Sequence, residues 1–137
     1  MFNKITTNLM VGDVKEALAF YEGVLGFRLV MGVREGSQQI VTTHDSSTPL
    51  GFAILQRDEV ELMLQSHKSL AAALPEFQNR SVGGAITLYI QVASVKELHE
   101  QIKDRVTILK DLHTTFYGAE EFYVRDGNGY VLTFASR

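Results

Sequence analysis

Few side chains in this sequence have the type and spacing that metal binding or nucleophilic catalysis requires. None of the 137 residues is cysteine, which excludes thiolate metal sites, cysteine nucleophiles and disulfide bonds. No two of the histidines have the spacing of paired metal ligands; they are His44, His67, His99 and His113. Carboxylates are therefore the groups to consider for chemistry.

Glu61 is the carboxylate of most interest, because it lies in a mostly apolar run, residues 60–65. In surroundings of low polarity a carboxylate either has its pKa raised, as a general base requires, or pairs with a cation. A bound ligand could supply that cation. Alternatively, Glu61 bonds to Thr6 or Thr133 and only holds strands together. The sequence leaves these alternatives open.

Composition favours one globular domain and excludes several partner classes. Lys and Arg number 13 against 16 Asp and Glu, for a net charge of -3, and no basic block could neutralise a row of phosphates. No apolar run approaches the roughly 20 residues that cross a bilayer, and the first residues lack a signal-peptide pattern. We expect a cytoplasmic protein with neither nucleic-acid nor membrane partners.

An internal repeat relates residues 5–16 to residues 86–97, with six of twelve positions identical. In each copy a strand leads into a helix, and the capping residue Asp13 or Ser94 is followed three positions later by Glu. The offset of 81 residues is too long for a solenoid repeat of about 20 to 50 residues. It indicates two copies of a half-domain.

Short β-type runs follow each helix, so that both halves have the order βαβββ. The first helix should end near Leu25, with Gly26 at positive φ, and residues 126–129 form a strong turn signal. Residues 34–49 are poorly patterned and are predicted to form a mobile loop, with an optional strand at 39–43. The predicted organisation is a single domain, 1–137, with halves at about 1–66 and 85–137 and a connector at 67–84.

Strand alternation divides each predicted sheet into an apolar face for the helices and a second, mixed face. Aromatic rings and methyl groups beside a few hydrogen-bonding groups are typical of a small-molecule pocket, although a merely solvated face is the alternative. Phe116 is added from the loop at 113–118, as a wall of the pocket. The predicted ligand-binding residues are Asn8, Phe52, Glu61, Met63, Tyr89, Phe116, Phe122 and Thr133.

Three motifs in the sequence together point to a known superfamily. They are Phe20-Tyr21 with Leu25-Gly26-Phe27, residues 60–65, and Tyr117-Gly118 with Glu121-Phe122, Arg125-Asp126 and Gly129. These motifs resemble the vicinal oxygen chelate superfamily, which includes glyoxalase I, extradiol dioxygenases and bleomycin resistance proteins, and the third is similar to the ending of the bleomycin resistance branch. The resemblance implies an α+β fold, in which two βαβββ modules form an eight-stranded, cup-shaped mixed sheet with helices on its outer face.

The resemblance also locates the positions where enzymes of the superfamily hold a divalent metal. They use one side chain from the first and the last strand of each half, and the aligned residues here are Thr6, Glu61, Thr87 and Thr133. Only Glu61 is a suitable ligand, whereas a catalytic site usually needs about three. We therefore expect neither a metal nor another cofactor.

The leading hypothesis is a homodimeric, metal-independent binding protein that sequesters an aromatic small molecule, which can be cationic, such as an antibiotic. Tyr117 and Glu120 replace the Trp and Arg common in the bleomycin resistance branch, so the particular antibiotic stays open. The alternative is a glyoxalase-like lyase, isomerase or dioxygenase with Glu61 as base or metal ligand. A third hypothesis is an interaction module whose exposed sheet edges pair with another protein.

Overall fold

The computed structural model describes residues 1–45 and 47–137, and the chain divides into two compact units, residues 1–82 and 83–137. Each unit contains one sheet, and a helix packs on that sheet. Within the described residues no helix has the length and apolar character needed to cross a membrane.

The first unit has a five-stranded sheet in the order β1-β5-β4-β2-β3, in which β1 runs parallel to β5 and the other neighbours are antiparallel. A 3-10 turn, Pro75–Phe77, follows its last helix. The elements are β1 Thr7–Val11, α1 Val14–Gly23, β2 Arg28–Arg34, β3 Ile40–Val41, β4 Leu50–Arg57, β5 Val60–Ser66 and α2 His67–Ala73.

The second unit repeats this topology without the short strand β3. Its four-stranded sheet has the order β6-β9-β8-β7, and β6 runs parallel to β9 just as β1 runs parallel to β5. The α+β class and the two βαβββ modules are thus confirmed. The elements are β6 Thr87–Gln91, α3 Val95–Ile102, β7 Thr107–Thr114, β8 Glu120–Arg125 and β9 Val131–Ser136, with a 3-10 turn at Lys103–Arg105.

Side-chain caps begin the two repeated helices as the sequence predicts. Asp13 Oδ1 accepts hydrogen bonds from the amides of Lys15, at 2.9 Å, and Glu16, at 3.3 Å. Ser94 Oγ accepts from the amide of Glu97 at 3.2 Å. The same local chemistry therefore sets the direction in which each chain segment leaves its first strand.

Helix α1 ends at Gly23, two residues before the predicted Leu25. The amides of Val24 and Leu25 both donate to the carbonyl of Phe20, so the regular helical bonding pattern stops there. Gly26 has the predicted positive φ, +73°. The buried stripe of α1 packs on β4 and β5, and consists of Val14, Ala17, Leu18 and Tyr21.

The loop at 34–49 contains a strand shorter than the predicted 39–43. Strand β3 pairs with β2 through two residues, Ile40 with Val33 and Val41 with Gly32. Beyond it, His44 Nε2 lies 2.8 Å from the carboxylate of Glu22 on α1. Residue 46 of this loop lies outside the described residues.

We predict that Gly83 can be replaced only at a cost. Gly83 has φ +78°, and an added Cβ would clash with the carbonyl oxygen of Asn128. G83A should therefore lower the free energy of unfolding by about 1–3 kcal/mol, measured by urea denaturation. Next to it, Gly84 has open space around its Cα. G84A is thus the matched control and should change stability little or raise it slightly; equal losses in both variants would contradict the structure of this turn.

Candidate functional site

A buried carboxylate surrounded by three tyrosine hydroxyls dominates the sheet face of the second unit that lies opposite α3. Glu121 is only 1% exposed. Its Oε2 accepts hydrogen bonds from Tyr117, at 2.6 Å, and Tyr89, at 2.9 Å, and its Oε1 accepts one from Tyr123, at 3.2 Å. We call these four residues the Glu121 cluster.

Strand register assembles the Glu121 cluster from distant parts of the sequence. Tyr89 on β6 and Tyr123 on β8 flank Thr133 on β9, so all three side chains share one row across the sheet. Glu121 lies in the next row, between Ala135 on β9 and His113 on β7. Tyr117 comes from the turn between β7 and β8 and completes the cluster.

Hydrogen bonding keeps Glu121 ionised despite its burial. Burial raises the pKa of Glu121, but the hydroxyls of Tyr117, Tyr89 and Tyr123 outweigh it, so the pKa lies below its ordinary value. Among the described residues, no Lys, Arg or His lies within ion-pair distance of this carboxylate. Its negative charge is therefore held chiefly by the three neutral hydroxyls, and His113, opposite Glu121 on β7, contributes at longer range.

Two tyrosines of the cluster are held in their protonated form. The hydrogen bond to Glu121 raises the pKa of Tyr117 to about 12. Burial, followed by the bond to Glu121, raises the pKa of Tyr123. Near neutral pH these hydroxyls are hydrogen-bond donors, and neither is a base or a nucleophile.

Aromatic rings around the cluster are partly accessible to solvent. Tyr89 is 53% exposed and Tyr117 is 48% exposed. Phe116, from the predicted wall loop, is fully exposed and contacts the Tyr117 ring edge-on at 5.1 Å between centroids. Tyr89 thus belongs to the cluster and Phe116 lies beside it, while the role of both in ligand binding stays a prediction.

The first unit presents a half-buried apolar face opposite α1. Met63 pairs with Asn8 on one side and with Ile54 on the other, and Ile54 pairs with Met31. Phe52 occupies the adjacent row, opposite Gln65. Asn8, Phe52 and Met63 therefore share the face that strand alternation predicts, and their contact with a ligand remains a prediction.

Glu61 has a cation partner within the chain. Lys4 Nζ lies 2.8 Å from Glu61 Oε1, and Thr6 Oγ1 donates to the same oxygen at 3.2 Å. The hydrogen bond from Lys4 is the largest effect and lowers the pKa of Glu61. This outcome agrees with the strand-holding alternative and does not provide the raised pKa that a general base at neutral pH requires.

Comparison with known proteins identifies the family. A sequence model of the glyoxalase/bleomycin resistance protein/dioxygenase superfamily matches residues 3–134. The chain belongs to this superfamily. No curated protein sequence matches it.

Solved structures of the superfamily share the fold at low sequence identity. A superfamily member from Sphaerobacter thermophilus is 16% identical, with TM-score 0.73 and coverage of 100% of this chain and 98% of that chain. The bleomycin-binding protein of Streptomyces verticillus, complexed with copper(II)-bleomycin, is 20% identical, with TM-score 0.63 and coverage of 100% and 98%. A glyoxalase-related enzyme from Fulvimarina pelagi is 17% identical, with TM-score 0.68 and coverage of 99% and 89%. At such low sequence identity, the similarity to these structures establishes a shared fold and nothing about a shared ligand or activity.

The metal that superfamily enzymes hold does not fit the residues present in this superfamily member. Thr87 lies opposite Val131, and Thr133 lies opposite Tyr89, so neither threonine has a carboxylate or imidazole as its register partner. The described residues contain no group of three His, Asp or Glu side chains that could hold a metal ion. A threonine hydroxyl is a poor substitute for either ligand type, so the aligned positions lack the ligands that a divalent metal requires.

The histidines do not supply the missing ligands. His67 Nε2 lies 3.0 Å from the carbonyl oxygens of Phe77 and Gln78, and His99 Nε2 lies 2.7 Å from Asp111. His113 Nδ1 lies 2.7 Å from the carbonyl of Asp111. Each of these histidines has a partner in the protein near its own place in the fold.

Phe122 does not lie on the predicted face. It pairs with Phe134, is completely buried, and its ring lies 5.0 Å from that of His99 on α3. Its predicted place on the open face requires a register of β8 one residue away from the observed one, and such a slip moves every side chain to the other face. Glu121 and Tyr123 occupy the open face instead.

A sequence signal for the correct register exists in β8 itself. Phe122 and Val124 are apolar, whereas Glu121, Tyr123 and Arg125 are polar or amphipathic. Alternation alone assigns the first pair to the helix side and the other three to the opposite face. Distance in sequence hides the contacts of Tyr89 with Glu121, since these residues lie 32 positions apart.

The tyrosine pKa shift gives a direct test of the Glu121 cluster. E121Q removes the negative charge that disfavours tyrosinate but keeps an oxygen that accepts a hydrogen bond. Tyr117 should then ionise nearer to the ordinary value of about 10 than to about 12. An ultraviolet titration of the tyrosines should therefore show more phenolate in E121Q than in the parent protein between about pH 10 and about pH 12. E120Q is the control; if both variants titrate like the parent, the hydrogen bonds to Glu121 are refuted.

Proposed function

We propose that this chain is a metal-independent binding protein of its superfamily, which sequesters an aromatic small molecule of the antibiotic type as a cytoplasmic homodimer. The observation that carries the proposal is the half-buried apolar face of the first unit, which is formed by Met31, Phe52, Ile54 and Met63. Helix α1 packs on the opposite side of this sheet, and these side chains stay half-buried.

Side-chain chemistry on this face suits a flat apolar ligand. Met31 and Met63 are flexible and polarisable, so they can adapt to rings of different shape. Asn8 Nδ2 donates to Gln65 Oε1 at 2.9 Å, which provides a fixed polar rim beside the apolar rows. Covering about 100 Å² of such apolar surface stabilises a complex by about 2.5 kcal/mol.

The carboxylates on the two faces do not support an enzyme. The pKa of Glu61 is lowered by Lys4, and the pKa of Glu121 is lowered by its hydroxyl donors in spite of burial. A general base needs a pKa near the working pH, so neither group is matched to proton abstraction. Sequestration requires no proton transfer and is compatible with both groups as they stand.

The bleomycin-binding protein of Streptomyces verticillus supports the same type of function. It has this fold over the whole length of the chain and was solved as a complex with copper(II)-bleomycin. At 20% identity its ligand is not transferred to this chain. What it supports is sequestration of a small molecule by this fold.

Metal analysis tests the metal-independent part of the proposal. The purified protein should contain far less than one Zn, Ni, Fe or Mn ion per chain, and its melting temperature should be the same with EDTA and with each metal added. A functional site at a free metal concentration of 100 times its Kd would raise the free energy of unfolding by about 2.7 kcal/mol. One metal ion per chain together with a lower melting temperature in EDTA would contradict the proposal.

A melting-temperature screen of neutral and cationic aromatic compounds tests the binding function. A compound that stabilises the protein should bind F52A roughly tenfold more weakly in calorimetry, because the truncation removes part of the apolar contact. F2A is the matched control, since Phe2 is fully exposed. The proposal fails if no aromatic compound binds, or if F52A binds each compound found as tightly as F2A and the parent do.

A further inference from the structure

We infer that the Glu121 cluster binds an organic cation, an alkylammonium or guanidinium group, that rests on the Tyr89 ring. The inference builds on the proposed function, because it names the charge of the ligand and the place where that charge lies. It concerns the second unit alone.

The first argument is the charge of Glu121. This carboxylate is 1% exposed and is ionised, and among the described residues its direct hydrogen-bond donors are the hydroxyls of Tyr89, Tyr117 and Tyr123. His113, opposite Glu121 on β7, acts on it at longer range. Hydroxyl dipoles stabilise a negative charge without cancelling it. A buried charge with no cation in direct contact exerts a strong field at short range, so a cation that approaches the cluster is attracted.

The second argument is the electronic state of the rings. A phenol that donates a hydrogen bond to a carboxylate shifts electron density into its ring, which strengthens the attraction of the ring face for a cation. The chain's own cations already lie on two of these rings. Arg137 lies 5.7 Å from the centroid of Tyr117, and Lys110 Nζ lies 6.0 Å from that of Tyr123.

Tyr89 is the ring left for an external cation. It is 53% exposed, and among the described residues no Lys or Arg lies over its face. Its hydroxyl nevertheless donates to Glu121 at 2.9 Å, so the ring is polarised in the same way as the others. A cation on this ring is near both the π surface and the buried charge.

Metal ions and anions fit this arrangement poorly. Ca²⁺ needs six to eight oxygen ligands and Mg²⁺ needs octahedral oxygen ligands, whereas the cluster offers one carboxylate whose oxygens already accept three hydrogen bonds. An anion would be repelled by Glu121. A large, weakly hydrated organic cation is the ligand class that gains from exposed ring faces.

Choline and its neutral isostere 3,3-dimethyl-1-butanol form a suitable pair of probes. They have the same shape and differ in charge, and their binding to the full chain can be followed by NMR of the tyrosine rings at constant ionic strength. We expect choline to bind the parent protein roughly tenfold more tightly than the alcohol. Equal binding of the two probes would overturn the inference.

Variants then assign the preference to Glu121 and Tyr89. E121Q keeps the size of the side chain but removes the charge, and should lose the preference for choline. E120Q removes the same charge one residue away, where Glu120 pairs with Lys96 at 3.5 Å, and should keep the preference. Retention of the preference in E121Q would overturn the inference. If E121Q does not fold, Y89L tests the site instead, because residue 89 is half-exposed and its replacement should leave the fold intact. Binding of choline to Y89L as tightly as to the parent would refute the site.

These results are distinguishable from those on the proposed function. If aromatic compounds bind and depend on Phe52 while choline shows no preference over the alcohol, the cation site is wrong and sequestration stands. If choline binds through Glu121 but no aromatic compound binds, sequestration of an aromatic ligand is wrong and the cation site stands.

Discussion

Parallel pairing of the first and last strands of each module is the constraint on which the rest of the structure depends. A hairpin cannot join parallel strands, so the chain must cross over, and the helix after the first strand begins that connection. Helix α1 then packs on β4 and β5, and α3 packs on β8 and β9. One face of each sheet is sealed by its helix, and the opposite face keeps side chains that the core does not need.

Features determined by neighbouring residues could be predicted from the sequence, because their physical causes lie within a few positions. Asp13 and Ser94 cap their helices with their own oxygens, and Gly26 adopts the predicted positive φ shortly after the end of α1. The assignment of side chains to the two faces of the first sheet is also correct, since only two residues separate the paired Arg57 and Val60. A connection of that length leaves little freedom in register.

The second hairpin and the two carboxylates show where sequence reasoning reaches its limit. Five residues separate Arg125 from Val131, so several registers are compatible with the turn, and a one-residue difference exchanges Phe122 for Glu121 on the open face. Glu61 stands out in its apolar run, but Lys4, which precedes β1, neutralises it. Glu121 does not stand out beside Glu120, and only long-range pairing brings Tyr89 to it.

The two carboxylates also show two different ways of holding a charge, and these have opposite consequences. The ammonium of Lys4 cancels the charge of Glu61, so little of its field extends beyond the pair. Three hydroxyls stabilise Glu121 but leave its net charge in place, in surroundings where screening by water is weak. In superfamily enzymes a bound divalent metal brings positive charge to the ligand site. With threonines at both aligned positions of the second unit and an ionised Glu121 beneath tyrosine rings, we expect the open face of this unit to have the opposite preference, for cations.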